Sequence, residues 1–307
     1  SIAKALGMEL EKDEEREKIK EEIQKLVAPR SSTLCAGCPH LGTYWALKQA
    51  LKRVGGKVPI VNGDIGCYEQ GGYGIAGKRY EPSDSTESKA YPIQAPYETL
   101  DTNYIMGGGI GLMQGQHHAG YKDGALVAVA GDSTYFHACL PAIVNAVYNK
   151  AKGVFVVMDN HWTAMTGHQP DPCTGVTATG EEAAKLSIEG IARAIGVEFV
   201  EVTDPYDLKA TQQTIERGIQ SGKFAIVVSR RVCTLQALRL KQYKPRAKQT
   251  RVNEEKCTGC MLCVSFGCPA TTFDTERKKA GIDPILCVNC GMCKQVCPFG
   301  AIEEVKE

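Results

Sequence analysis

Eight cysteines in two compact runs dictate how the last fifty or so residues fold. Cys257-Thr-Gly-Cys260-Met-Leu-Cys263 is followed, after four residues, by Cys268-Pro269. Cys287-Val-Asn-Cys290-Gly-Met-Cys293 is followed, after three, by Cys297-Pro298. A segment this short buries little apolar surface, so the metal it ligates must organise it. Two Cys triplets, each closed by Cys-Pro, have the spacing that holds two [4Fe-4S] clusters, with the fourth Cys of each run ligating the other cluster. Cys257, Cys260, Cys263 and Cys297 are expected on one cluster, and Cys287, Cys290, Cys293 and Cys268 on the other. The extra residue before Cys268 is a departure that a loop absorbs. The alternative is a pair of zinc sites, which favour two Cys-x-x-Cys pairs separated by one longer gap.

The expected C-terminal unit is therefore a two-cluster ferredoxin-like module over 252–307, which moves single electrons and makes no bonds itself. The chain has fourteen Cys in all. Their Cys-x-x-Cys spacing suits metal better than a disulfide scaffold and points to a reducing cytoplasm. A net charge of +1 gives no global signal for nucleic acid or an anionic membrane. No apolar run is long enough to span a bilayer. Ser1-Ile2-Ala3-Lys4 reads as the start of a fragment or processed piece, not as a secretion signal.

Residues 1–30 read as a charged segment, with Ile19, Ile23 and Leu26 on one face of a short helix. From 31 to 234, short apolar strands alternate with helices. Strands are expected at 58–61, 125–130, 153–158, 197–202 and 224–228. Helices are expected at 41–54, 106–119, 138–149, 181–195 and from the Asp204-Pro205 cap to 219. This is an α/β pattern with a parallel sheet buried on both faces. Ligands then belong at the carboxyl ends of the strands. Residues 62–105 are irregular and rich in Gly, Tyr, Pro and Ser, which marks them as functional. Residues 235–251 read as a basic linker, either simply solvated or contacting an acidic electron carrier.

Four further cysteines stand at segment ends: Cys35 and Cys38 before a helix, Cys67 after the first strand and Cys233 after the last. They allow a third [4Fe-4S] cluster at the sheet edge, or two separate thiol sites. Cys139 reads as a small core residue, and Cys173 receives no role.

Gly131-Asp132-Ser133 ends one buried strand, and Asn160 ends the next. A hard divalent cation needs oxygen ligands, and Asp132, Asn160 and the Trp162 carbonyl supply the protein's share if diphosphate supplies the rest. An ordinary Gly-Asp-Ser turn is the alternative. The pairing resembles the thiamine diphosphate signature, with Ser133 in place of its last Gly. Thr166-Gly167-His168-Gln169 resembles a loop of the 2-oxoacid:ferredoxin oxidoreductases. Cys35-Ala-Gly-Cys38-Pro-His, Gly-Asp-Ile-Gly-Cys67-Tyr and Met-Gly-Gly-Gly-Ile-Gly resemble the alpha subunits of the indolepyruvate-type members.

The resemblance implies that Cys35, Cys38, Cys67 and Cys233 hold a third [4Fe-4S] cluster and that thiamine diphosphate binds with Mg2+. It implies that Gly66, Cys67, Gly107, Gly108, Gly109 and His40 line the thiamine pocket, with Gly131, Ser133, Thr166, Gly167 and Gln169 alongside. Read without it, the glycines are a permissive turn and His40 is a local cap or surface residue. The implied reaction is oxidative decarboxylation of a 2-oxoacid, an arylpyruvate first, with acyl transfer to coenzyme A and electrons passed to ferredoxin. The family's alpha subunits also carry a half that grips the aminopyrimidine, and partner subunits are expected to supply it. The competing reading is a non-catalytic electron-transfer subunit, which has no need of Asp132 and Asn160.

Overall fold

The computed structural model describes residues 14–26, 33–72 and 98–305. Helix α1 (Glu14–Leu26) belongs to a separate N-terminal unit. Its first turn carries Glu14, Glu15 and Glu17, the charge sign that suits a helix N-terminus. Ile19 and Ile23 on α1 are half exposed.

Residues from 32 onward form one compact unit. Helix α2 (Pro39–Val54) starts with proline in its first turn, where the missing N–H costs nothing. Strands β1 (Ile60–Gly63) and β2 (Thr102–Asn103) follow, then helix α3 (Gly108–His118). Strand β3 (Leu126–Gly131) leads into a helical turn, a π turn at Tyr135–Cys139 and helix α4 (Leu140–Tyr148). Strand β4 (Gly153–Asp159), helix α5 (Ile188–Ile195), strand β5 (Phe199–Thr203), helix α6 (Leu208–Gln220) and strand β6 (Phe224–Arg230) complete the α/β layer.

The six strands are all parallel, in the order β2-β1-β3-β4-β6-β5. Every residue of β3 is buried, as are all but the first of β4, which is why both read as unbroken apolar runs. The order reverses between β1 and β3. A sheet of this type opens a ligand crevice at such a switch point, beyond the carboxyl ends of its strands.

Helix α7 (Thr234–Arg239) and strand β7 (Gln249–Val252) come next. Then follow α8 (Leu262–Ser265), the hairpin β8 (Thr271–Asp274) and β9 (Lys279–Ile282), α9 (Met292–Val296) and β10 (Ile302–Val305), which pairs with β7. This C-terminal part is wedded to the α/β layer. Phe266, Met292 and Val296 share one core with Leu41, Tyr44 and Leu47. The Trp45 and Phe266 rings meet edge-on at 5.7 Å.

Several sequence expectations shift. The helix expected over 181–195 begins only at Ile188, because Glu181 and Glu182 are drawn back onto Thr177 and Val176. The cap expected at Asp204 lies at Asp207, whose side chain accepts from the Ala210 N–H at 2.9 Å. Asp204 is instead held by Arg231 and by the Tyr206 N–H. The helix expected from 138 is preceded by helical turns that begin at Asp132. The stretch read as linker contains α7 and most of β7. Of the irregular segment 62–105, residues 73–97 lie outside the described residues.

Candidate functional site

The switch-point crevice is built by the loops after β1 and β3. After β1 the chain runs Asp64-Ile65-Gly66 into a short 3-10 helix, Cys67–Gly72. Tyr68 turns back into the core at 4% exposure, and its ring lies against both Gly66 and Gly131. Its hydroxyl donates to Asp64, which is fully buried. The other Asp64 oxygen accepts the Gly107 N–H at 2.7 Å. Burial pushes the Asp64 carboxyl up to about 6, against the pull of these two hydrogen bonds. Gly107 has φ +80°, and a Cβ there would stand 2.7 Å from the Ala138 Cβ, so glycine is required where the loop enters α3.

Asp132 sits just past β3 at 2% exposure. Its Oδ1 accepts the Ser133 N–H at 3.0 Å, while its Oδ2 has no hydrogen-bond partner among the described residues. Burial first, then Asp171 and Asp159, hold its pKa well above the carboxylate range. An orphaned buried carboxylate oxygen is costly, and a bound cation removes that cost. Asn160, past β4, is also buried. Its Oδ1 accepts the Trp162 N–H at 2.9 Å. Its Nδ2 faces His40 Nε2 at 3.3 Å, so the amide donates to an unprotonated ring nitrogen. Burial pushes His40 down to about 4, which keeps the ring neutral. The unpartnered Asp132 oxygen at the strand end is the kind of donor that a cation–diphosphate group takes.

Thr166, Gly167 and Gln169 form a self-contained turn nearby in sequence. The Thr166 hydroxyl donates to Gln169 Oε1 at 2.6 Å, and Gln169 Nε2 returns a hydrogen bond to the Thr166 carbonyl at 2.8 Å. Sequence reasoning left Asp64, Tyr68 and Asp171 unremarked and gave Cys173 no role. The Asp in Gly-Asp-Ile-Gly-Cys was the available signal for the first of these. Asp171 and Cys173 had none, because only the fold carries them to Asp132.

The cysteines gather as three groups. Burial and then the Cys233 thiol raise Cys35. Burial, then Cys233 and Cys35, push Cys67 up to about 11. Burial, then Cys35, with Cys67 and Cys233 adding, raise Cys38. Cys35, Cys38 and Cys67 are thus each raised by the Cys233 thiol. The Asn160 carbonyl accepts the Cys233 N–H at 3.0 Å, which ties this group to the loop after β4. His168 Nε2 lies 3.3 Å from Cys233 Sγ.

In the C-terminal part, Cys257, Cys260, Cys263 and Cys297 line one small cavity. Cys268, Cys287, Cys290 and Cys293 line another, which Gly37 also borders. Zn–S bonds of about 2.3 Å would bring tetrahedral sulfurs within about 3.8 Å of each other. No Cys group among the described residues brings three donor atoms within 4.8 Å of one another. Thiols set around a hollow fit a cluster better than a single ion.

The Cys38 loop and the second of these cavities touch directly. Gly37 has φ +67°, and a Cβ there would meet Val288 Cγ2 at 2.2 Å. The Gly37 carbonyl accepts from the hydroxyls of Tyr206 at 2.6 Å and Thr234 at 2.7 Å. Among the described residues, no helix is long and apolar enough to cross a membrane.

Comparison with known proteins agrees with this geometry. Residues 84–229 match the family of thiamine pyrophosphate enzyme C-terminal TPP-binding domains, and residues 256–301 match the 4Fe-4S dicluster domain. The chain is 42% identical to indolepyruvate oxidoreductase subunit IorA of Pyrococcus horikoshii, across 100% of this chain and 46% of that one. With the same subunit of Archaeoglobus fulgidus it is 38% identical, across 99% and 45%. The chain thus spans about half the length of the curated relatives it matches. A solved 2-oxoglutarate:ferredoxin oxidoreductase from Magnetococcus marinus shares the fold, with a TM-score of 0.53 at 17% identity, over 72% of this chain and 73% of that one.

Proposed function

The chain belongs to the indolepyruvate oxidoreductase subunit IorA family, and on that premise we propose that it is the thiamine diphosphate- and iron–sulfur-carrying part of a 2-oxoacid:ferredoxin oxidoreductase. The substrate is a 2-oxoacid, an arylpyruvate such as indolepyruvate first. Coenzyme A takes the acyl group and a ferredoxin takes the electrons. The observation that carries this reading is the meeting, at one switch point, of the Asp132 loop and the Cys67 loop, whose Tyr68 ring lies against both Gly66 and Gly131.

When bound, thiamine diphosphate supplies the electron sink for decarboxylation, and [4Fe-4S] clusters accept electrons singly. In this chain Asp132, Asn160 and the Trp162 carbonyl would hold the divalent cation, Mg2+ being the one expected from sequence, that anchors a diphosphate. Gly131 and Ser133 shape that loop. His40, neutral and buried, fixes the Asn160 amide so that its Oδ1 is presented. Gly66, Gly107 and Gly109 let their loops pack closely onto Tyr68, Ala138 and the Asn62 carbonyl, and the Thr166-Gly167-Gln169 turn would border the cofactor. Cys35, Cys38, Cys67 and Cys233 hold a proximal cluster. Cys257, Cys260, Cys263 and Cys297 hold one distal cluster, and Cys268, Cys287, Cys290 and Cys293 the other.

The aminopyrimidine end of the cofactor is held by a complementary polypeptide region. Both ends must be fixed for the reactive carbon to be aimed, because about 1 Å of misplacement costs on the order of a hundredfold in rate. The buried, unpartnered Asp132 oxygen argues against the purely electron-carrying reading, since a carrier has no need to bury it.

The test is reconstitution without air. The isolated chain should give no 2-oxoacid-dependent reduction of ferredoxin or a dye. Adding the complementary subunit regions should give turnover, best with arylpyruvates in a 2-oxoacid panel. Asp132→Ala should abolish that turnover and thiamine diphosphate retention at unchanged iron content. Turnover by the single chain, or by the Asp132→Ala complex, would refute the proposal.

A further inference from the structure

Behind the diphosphate edge, three carboxyl groups converge: Asp132, Asp159 and Asp171. Asp159 is provided for. It lies against Arg230 Nε at 2.5 Å and accepts the His161 N–H at 3.3 Å. Arg230 is also engaged by Glu189, at 3.0 and 2.6 Å. Asp171, at 8% exposure, has one satisfied oxygen. Its Oδ1 accepts from the Cys173 N–H at 2.9 Å and the Thr174 hydroxyl at 3.1 Å.

What remains is unbalanced. Asp132 Oδ2 and Asp171 Oδ2 are both buried without a partner among the described residues. Donor atoms of Asp132, Asp171 and Cys173 all lie within 4.8 Å of one another, and all three residues are buried. Buried charges are tolerated when paired or when they coordinate metal. Arg230 is already shared by two other carboxylates, so a cation is the fitting counter-charge. Mg2+ takes oxygen ligands, whereas first-row transition-metal cations also accept sulfur.

Building on the diphosphate reading of Asp132, we propose that Asp171 is a second carboxylate ligand, and Cys173 a sulfur donor, to the cation that Asp132 holds. The site therefore takes a first-row transition-metal cation such as Mn2+ in preference to Mg2+. The turn Asp171–Thr174 makes this possible: Asp171 Oδ1 ties down the turn and leaves Oδ2 without a hydrogen-bond partner among the described residues.

The experiment uses the full chain, purified without air and stripped of divalent cations by a chelator. It is titrated with Mn2+, free Mn2+ being read by EPR, and then competed with Mg2+. The wild type should bind Mn2+ about tenfold or more tightly than Mg2+, and Asp171→Asn should weaken Mn2+ binding about tenfold or more at unchanged iron content. Asn keeps the acceptor that holds the turn, so folding is expected to survive. Cys173→Ser should remove the preference for Mn2+ over Mg2+ while leaving Mg2+ binding intact. Equal Mn2+ and Mg2+ affinity in the wild type would overturn the sulfur ligand without any variant. Unchanged Mn2+ binding in Asp171→Asn, beside a loss in Asp132→Asn, would overturn this proposal alone. No change in either variant would overturn the diphosphate reading with it.

Discussion

Gly107 donates its backbone N–H to Asp64 Oδ2 at 2.7 Å, so one carboxylate joins the loop that carries Cys67 to the loop that opens α3. Its other oxygen takes the Tyr68 hydroxyl. Asp64→Asn keeps the volume but turns an amide toward one of these donors. A hydrogen bond to a charged group contributes about 1.5–3 kcal/mol, which corresponds to roughly tenfold or more in an equilibrium. Thiamine diphosphate retention by the variant should fall by at least that factor, and the EPR signal of the proposed cluster at Cys67 should change shape. Equilibrium dialysis of the cofactor and EPR of the reduced protein check both. Cofactor loss with an unaltered cluster signal would show that the two loops are not coupled through Asp64.

The three thiol groups set an iron count. Chain purified without air should hold about twelve iron atoms, or about eight if only the C-terminal clusters form. Cys67→Ser should lower the count by about four and leave the C-terminal pair visible by EPR. Zinc in place of iron, with negligible sulfide, would contradict the cluster assignment.

Gly37 lies where the Cys38 loop presses on Val288. A methyl there would overlap Val288 Cγ2, and the residue's φ of +67° is unfavourable for any side chain. Overpacking of this kind costs about 1–3 kcal/mol. Gly37→Ala should lower the thermal midpoint and perturb the cluster held by Cys268, Cys287, Cys290 and Cys293 more than the one held by Cys257, Cys260, Cys263 and Cys297. Equal perturbation of both would argue against this contact.

Lys48 on α2 is pushed down to about 8, chiefly by burial, from an ordinary value of 10.5. Its folded-state amine gives up its proton first. Between about pH 8 and 10.5 the unfolded chain therefore binds more protons, and stability rises with pH in that window. Below it the charged amine costs stability. Lys48→Met should raise stability at pH 7 by about 1–2 kcal/mol, allowing for partial exposure, and flatten the rise at alkaline pH. Thermal midpoints across pH 7 to 11 test this, and an unchanged slope would exclude Lys48 as its source.

The parallel sheet was legible because β3 and β4 are buried on both faces and carry no polar interruption. Asp132 and Asn160 were legible because each directly follows such a strand. Boundaries were harder where two residues of one type competed. Asp204 and Asp207 both look like helix caps, and Arg231, distant in sequence, decides between them by drawing Asp204 away. Likewise the loop 181–187 reads as helix by pattern, yet bridges back to Val176. Asp171 and Cys173 lay beyond sequence reasoning for the same reason: their partner is thirty-nine residues or more upstream, at the end of another strand.

Phe266, Met292 and Val296 of the C-terminal part are buried in the same core as Leu41, Tyr44 and Leu47 of α2. Gln295 Nε2 adds a hydrogen bond to the Tyr206 carbonyl at 2.7 Å. The cluster-bearing part is thus bolted in place and does not swing on a tether like a shuttling carrier. Electron tunnelling weakens steeply with distance, so a rigid mount fixes the rate of the internal hops at the moment the chain folds. Solvent viscosity should leave any hop within this rigid part untouched.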